Sequence, residues 1–235
     1  SDIADNYPKA EEFSDIAKWS EPPRAATGKL MLWYGQPGVG KTYAIRCLGW
    51  EWRDWCNVEY ITDPESFFGD ASYMMSVLIE GNDRPYVPGL SDACDDDEDD
   101  DEDDSGPTSP FRLLVCEDVG ELMMADAKER AGQALSRLLN LSEGLIGQGM
   151  NLLVLLTTNE KVTSLHPAVR RPGRSLMNLD FPGFTPEHAA RWLAARGETY
   201  VPQRTEPTLA ELYSMVAHHS VSQKVPAGTL GLRHA

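Results

Sequence analysis

Short apolar runs alternate along the chain with longer stretches in which apolar residues recur every three or four positions, and the two periods predict strands and helices in turn. Leu30–Tyr34, Val58–Thr62, Arg112–Glu117 and Leu152–Thr157 have strand length, are apolar and are bounded by polar or turn residues, with Met177–Phe181 a weaker fifth. Helical spacing places Ile45, Leu48, Trp52 and Trp55 on one face of Lys41–Trp55, and Leu135, Leu138, Leu139 and Leu145 on one face of Gln133–Leu145. A further helix is expected over about Asp70–Glu80. Strand and helix in alternation predict an α/β fold: a parallel five-stranded sheet with helices on both faces. The bulky group Trp50, Trp52 and Trp55 is expected in that core rather than at a binding surface. Past Phe181 the pattern changes. Thr185–Arg196 and Thr208–His218 read as two helices with no strand between them, which predicts a small C-terminal helical lid. The chain is thus expected to divide into an N-terminal linker or helix over 1–28, a core over 29–182 and a lid over 183–235.

Composition narrows the class. At 41% apolar and 25% charged residues, the chain has the make-up of a soluble globular protein. No apolar run approaches the roughly 18 residues of a spanning helix, the longest being Leu152–Leu156, and no hydrophobic leader opens the sequence, so no membrane partner is expected. The first residue is Ser1 rather than Met, and a preceding segment is expected. The net charge of −16 is concentrated: Asp95–Asp104 is an unbroken run of ten acids, and outside it the balance is −6. A mildly acidic body without clustered Lys and Arg speaks against nucleic acid as a partner. The acidic run, inside a loop over 91–110, is expected to be solvated and disordered, with a docking site for a basic partner as the alternative. Cys47, Cys56, Cys94 and Cys116 have no metal-ligand spacing, nor do His166, His188, His218, His219 and His234. A reduced, cytoplasmic setting without structural zinc is expected.

Between the first strand and the first long helix, Gly35-Gln36-Pro37-Gly38-Val39-Gly40-Lys41-Thr42 matches G-x-x-x-x-G-K-[ST] in the context the motif requires. Its glycines let successive backbone N–H groups turn inward as an anion nest, and the helix that follows adds the positive end of its dipole. Lys41 would reach the β- and γ-phosphates and Thr42 would ligate Mg²⁺. The eight residues, with Tyr43 after them, are the candidate nucleotide-binding set. The strand over 112–117 ends in Glu117-Asp118, placing two carboxylates at the carboxyl end of a parallel strand, where α/β sheets bind ligands. One acid would hold the metal and the other would polarise the attacking water.

With these residues in place the sequence resembles the AAA family of P-loop ATPases, over about Leu30–Phe184. LSRLLNLSEGL (135–145) resembles that family's helix after Walker B, and LLVLLTTNE (152–160) its sensor 1 strand, with Asn159 at the polar sensor position. LHPAVRRPGR (165–174) resembles its arginine-finger segment. Most AAA proteins carry Asp before Glu in Walker B. The order here, Glu117 then Asp118, is that of the group of mitochondrial respiratory-complex assembly AAA ATPases, to whose helix LLNLSEGL is also similar. The resemblance implies ATP and Mg²⁺ as cofactors and hydrolysis of ATP to ADP and phosphate. It also implies a homo-oligomer, a hexamer, that remodels a protein client, with Arg171 and Arg174 reaching a neighbour's γ-phosphate. Read positionally, Glu117 and Thr42 hold the metal, Asp118 is the base and Asn159 positions water or senses γ-phosphate. A change of strand register would exchange the two acids.

The arginines also stand on their own. Arg170, Arg171 and Arg174 flank the turn signal Pro172-Gly173, which presents guanidinium groups from a loop, as fingers or as an acid-paired surface cluster. Phe67-Phe68-Gly69 falls where AAA remodellers carry an aromatic pore loop, with core burial as the equal alternative. Gly231-Leu232-Arg233 is a faint match to a sensor 2 motif. Two other functions remain as alternatives: a slow nucleotide-dependent switch gated by a partner, and a nucleic-acid motor, the latter opposed by the charge.

Overall fold

The computed structural model describes residues 5–21, 29–80, 111–124, 151–165, 175–199 and 205–224, together with 136, 138 and 140. Five strands form one sheet: β1 (Leu30–Tyr34), β2 (Cys56–Tyr60), β3 (Phe111–Cys116), β4 (Leu152–Thr158) and β5 (Ser175–Asp180), in the order β2-β3-β4-β1-β5 and all parallel. All seven residues of β4 are buried, as a central strand covered on both faces must be. β2 and β5 are the edges and mix exposed with buried positions, which explains the weaker apolar pattern of β5. β2 begins two residues earlier than the apolar pattern indicates, because Phe111 N already donates to Trp55 O at 3.0 Å.

The helices are α1 (Ala10–Ala17), α2 (Lys41–Glu51), α3 (Pro64–Gly69), α4 (Ala71–Glu80), the short α5 (Gly120–Met123), α6 (Pro186–Ala194) and α7 (Leu209–Lys224). They lie on both faces of the sheet. One face packs Leu32, Leu114, Val154 and Leu156 against Phe67, Phe68, Met74 and Leu78 of α3 and α4. The other packs Met31, Trp33, Val115 and Leu155 against Phe13 and Ile16 of α1 and Ile45 and Leu48 of α2. A third cluster, with Phe184, Trp192, Leu193, Leu209 and Leu212, joins α6 to α7. Of the helix expected over 133–145, Ser136, Leu138 and Asn140 are described as helical, and Leu138 is buried against the first face.

Three sequence expectations change here. α2 stops at Glu51, and a turn carries the chain from Trp52 to Cys56. Trp52 and Trp55 are indeed structural: their indole N–H groups donate to Ile16 O at 3.1 Å and Trp19 O at 2.9 Å, tying α1 to the end of α2. Trp50, expected in the core, is 66% exposed, with the Arg53 guanidinium 4.7 Å from its ring centre. Phe67 and Phe68 are 0% and 3% exposed and pack edge to face in the core, so neither is available as a pore-loop grip. Asp63 caps α3 through Ser66 N and Pro64 begins it, a local start that turns both rings inward. The acidic run 95–104, Cys94, the arginines 170, 171 and 174, and the motif 231–233 lie outside the described residues. Among the described residues no helix is long and apolar enough to cross a membrane.

Candidate active site

Strand order builds the site. β4 lies between β1 and β3, so the carboxyl ends of all three converge: the glycine loop after β1, Glu117-Asp118 after β3, and Asn159 after β4. The loop is tight. Gly35 N donates to Thr158 O at 3.2 Å, and a Cβ on Gly35 would stand 2.3 Å from Phe181 O. Gly40, with φ of 99°, turns the chain into α2, and at that φ a side chain is strained.

Lys41 Nζ donates to Gly35 O at 2.7 Å, Gln36 O at 3.3 Å and Asn159 Oδ1 at 2.9 Å. Burial lowers its pKa, and the charges of Asp118 and Glu117 oppose that shift. Thr42 Oγ1 donates to Glu117 Oε2 at 2.6 Å, while Glu117 Oε1 is buried with no hydrogen-bond partner. Asn159 Nδ2 donates to Asp118 Oδ1 at 2.7 Å. Asn159 therefore bridges the lysine and the second acid. Asp118 has φ of 55°, a left-handed conformation uncommon outside glycine, and its N–H is held by Thr157 Oγ1 at 2.9 Å. The tight turn aims the two carboxylates apart, Glu117 towards Thr42 and Asp118 towards Asn159.

These side chains line a cavity of about 540 Å³ together with Pro37, Gly38, Gly40, Tyr43 and Thr157. Its remaining wall is Asn6, Leu209, Ala210 and Tyr213, none of which the sequence pattern singles out. Ala210 N donates to Gly38 O at 2.9 Å, so the start of α7 rests on the glycine loop. Thr208 and Glu211 form a reciprocal cap there, a T-x-x-E spacing that is readable in sequence although its target is not. At the far side of the acids, Tyr60 has its phenol pKa raised, first by burial and then by the neighbouring Glu117 carboxylate. A second cavity, about 600 Å³ and larger, lies between α1 and α6 and contains none of the motif residues. Lys41, Thr42, Glu117, Asp118 and Asn159 all line the smaller one.

The donor set fits Mg²⁺. Thr42 and Glu117 supply hard oxygens, and the partnerless Glu117 Oε1 is an acceptor that a cation or its water would satisfy. No cluster of three or more His, Cys, Asp or Glu able to hold a metal occurs among the described residues. A cation here would therefore take most of its ligands from phosphate and water, as Mg²⁺ does.

Neither the protein-family models nor the curated protein sequences give a match to this chain. Among solved structures, a chain of the E. coli MS115-1 HORMA:CdnC:Trip13 complex is similar with a TM-score of 0.65 and 14% identity, covering 96% of this chain and 85% of that one. At that identity the likeness is one of fold, and the fold is an α/β one of the P-loop NTPase type. Because 792 solved chains match, the fold alone selects no function.

Proposed function

We propose that this chain is an AAA-type ATPase that binds ATP with Mg²⁺ and hydrolyses it to ADP and phosphate. The observation that carries the reading is the meeting of Lys41, the Thr42–Glu117 pair and the Asp118–Asn159 pair in one cavity. Lys41 would exchange its carbonyl partners for phosphate oxygens, and the glycine-loop N–H groups would hold the remainder of the triphosphate. Thr42 and Glu117 would hold Mg²⁺, which when bound neutralises charge on the phosphates. Asp118 takes the proton of the attacking water as its oxygen bonds to the γ-phosphorus and the bond to the bridging oxygen breaks. Asn159 holds Asp118 in line for that transfer.

Arg171 and Arg174 are proposed as fingers acting in trans on a neighbour's γ-phosphate, which makes the working unit a homo-oligomer, a hexamer by family resemblance. A finger contributes about 10³ to 10⁵ in rate. The client is proposed to be a protein: the similar solved chain belongs to a complex of several proteins, and the acidic balance opposes a nucleic acid. ATP turnover per subunit, measured against protein concentration with Lys41→Ala and Arg171→Ala as controls, tests the reading. It should rise with concentration and vanish in both variants. Flat, negligible turnover with intact ATP binding would instead identify a nucleotide switch.

A further inference from the structure

Asn6, just ahead of α1, is only 2% exposed. A carboxamide so buried is destabilising unless its acceptor and donors are met. Its Oδ1 accepts from Trp192 Nε1 at 2.9 Å and from Arg196 Nη2 at 3.4 Å, one on α6 and the other in the turn that closes it. Indole and guanidinium nitrogens only donate, so this pairing fixes which end of the amide is oxygen. The amide nitrogen therefore faces the opposite way, towards α7, where Nδ2 donates to the Tyr213 hydroxyl at 3.4 Å. That bond is at the long limit for a hydrogen bond and leaves the donor poorly met.

The three partners are themselves assembled. The Arg196 guanidinium lies 3.7 Å from the Trp192 ring centre, and Tyr213 meets the same ring edge to face with centroids 4.8 Å apart. The next residue points elsewhere: Tyr7 donates its hydroxyl to Gly40 O at 3.0 Å and packs against Phe13 and Phe181. Two consecutive side chains thus join the C-terminal helices to the glycine loop. Asn6 and Tyr213 line the candidate nucleotide cavity, whereas Trp192 and Arg196 line the second cavity.

Resting on the nucleotide reading above, we propose that Asn6 is a positioning residue that couples the nucleotide to the C-terminal helices: Nδ2 donates to an acceptor on the bound base or ribose, while Oδ1 holds Trp192 and Arg196. Filling the cavity then fastens α6 and α7 through one amide, with the start of α7 already resting on the glycine loop. The residue touches no reacting atom, and its loss is read in binding and helix docking rather than in the chemical step.

Asn6→Asp separates the two ends of the amide. It keeps an acceptor for Trp192 and Arg196 and removes the donor that faces the cavity, whereas Asn6→Ala removes both. In the wild-type chain, ATP with Mg²⁺ should change the tryptophan emission, and Trp192→Phe should abolish that change. In Asn6→Asp the thermal midpoint without ATP should stay within about 3 °C of wild type. Its Kd for ATP should rise about five- to tenfold and the emission change should be lost. Asn6→Ala should lose the emission change and melt earlier. Should Asn6→Asp fail to fold, Tyr213→Phe removes the acceptor that competes for Nδ2 and leaves that donor unmet until ATP binds. Its Kd for ATP should then stay at or below the wild-type value with the emission change retained, and a Kd raised about fivefold or more would overturn the coupling. Wild-type Kd and emission change in folded Asn6→Asp would overturn the coupling and leave the nucleotide reading standing. Absence of ATP binding by the wild-type chain would instead overturn both.

Discussion

Thr42 donates its hydroxyl to Glu117 Oε2 at 2.6 Å, although the two residues are 75 apart in sequence and their strands are separated by β4. The first turn of α2 and the end of β3 thereby share one pair of oxygens, and the second Glu117 oxygen is buried without a partner. A cation proposed for this pair would draw its affinity from both members.

Thr42→Ala and Glu117→Gln should therefore each raise the Mg²⁺ concentration for half-maximal turnover by at least roughly tenfold at saturating ATP. A Mg²⁺ titration of ATP hydrolysis reads this directly. An unchanged Mg²⁺ dependence in either variant would remove that residue from the metal site.

Asp118 and Asn159 should separate from that pair in kinetics. Asp118→Asn leaves Thr42, Glu117 and Lys41 in place but removes the proposed base, so ATP affinity should stay near wild type while kcat falls about 10²- to 10⁴-fold. Asn159→Ala removes a bond to Asp118 and one to Lys41 together, and should lower kcat more than it raises KM. Single-turnover hydrolysis beside equilibrium ATP binding distinguishes the two acids. If Glu117→Gln instead gave the larger loss of kcat with intact Mg²⁺ dependence, the roles would be exchanged.

What could be read in advance follows from sequence distance. The glycine loop is contiguous, and its strand and helix flank it directly, so its strand-to-helix setting and Gly35 to Thr42 as candidates for phosphate binding could be read before any strand was ordered. The Thr42–Glu117 and Asn159–Asp118 contacts depend on β4 lying between β1 and β3, an order that periodicity does not carry. Asn6 and Tyr213 reach the cavity because residues 5–7 and the start of α7 both close over the loop, and neither lies in a motif. Phe67 and Phe68 show the converse: an exposed pair and a buried pair read alike in sequence, and the Asp63 cap decided which way they face. Trp50 was expected in the core for its bulk, but it stands two positions from Leu48, off the face that buries Ala44, Ile45 and Leu48, and takes the solvent side.

Arg112 makes a stability prediction outside the site. At 3% exposure it donates to both oxygens of Glu59, at 2.9 and 2.7 Å, and to the carbonyls of Leu78 and Val77, at 3.2 and 2.8 Å. It thus pairs across β2 and satisfies the end of α4 at once. Arg112→Ala should destabilise the fold by about 2–3 kcal/mol, less than the loss of a fully buried pair, because the Glu59 carboxylate is 37% exposed and stays solvated. Arg112→Lys should recover only part, since an ammonium cannot present the planar fork. Denaturant unfolding of both variants tests this, and equal stability of Arg112→Lys and wild type would show that charge alone suffices.

The buried thiols fix a pH dependence with a definite sign. Cys56 and Cys116 are free, and burial pushes both from 9.0 up to about 12. In the unfolded chain they lose their protons near the ordinary value, whereas in the folded chain they keep them, so the folded state holds more protons above pH 9. Stability contributed by the neutral thiols is complete below the unfolded pKa of 9.0 and is lost as pH rises towards about 12. The slope approaches about 1.4 kcal/mol per pH unit for each thiol. Tyr7, Tyr34 and Tyr60 are also raised and act in the same direction, so the thiols are isolated by difference. Denaturant midpoints taken across the alkaline range should fall less steeply in a Cys56→Ala, Cys116→Ala double variant than in wild type. Both thiols should also resist a thiol reagent in the native protein near pH 9 and react fully once it is unfolded. Identical slopes, or fast native labelling of Cys116 on the central side of β3, would show that the β2–β3 edge opens far more readily than its burial implies.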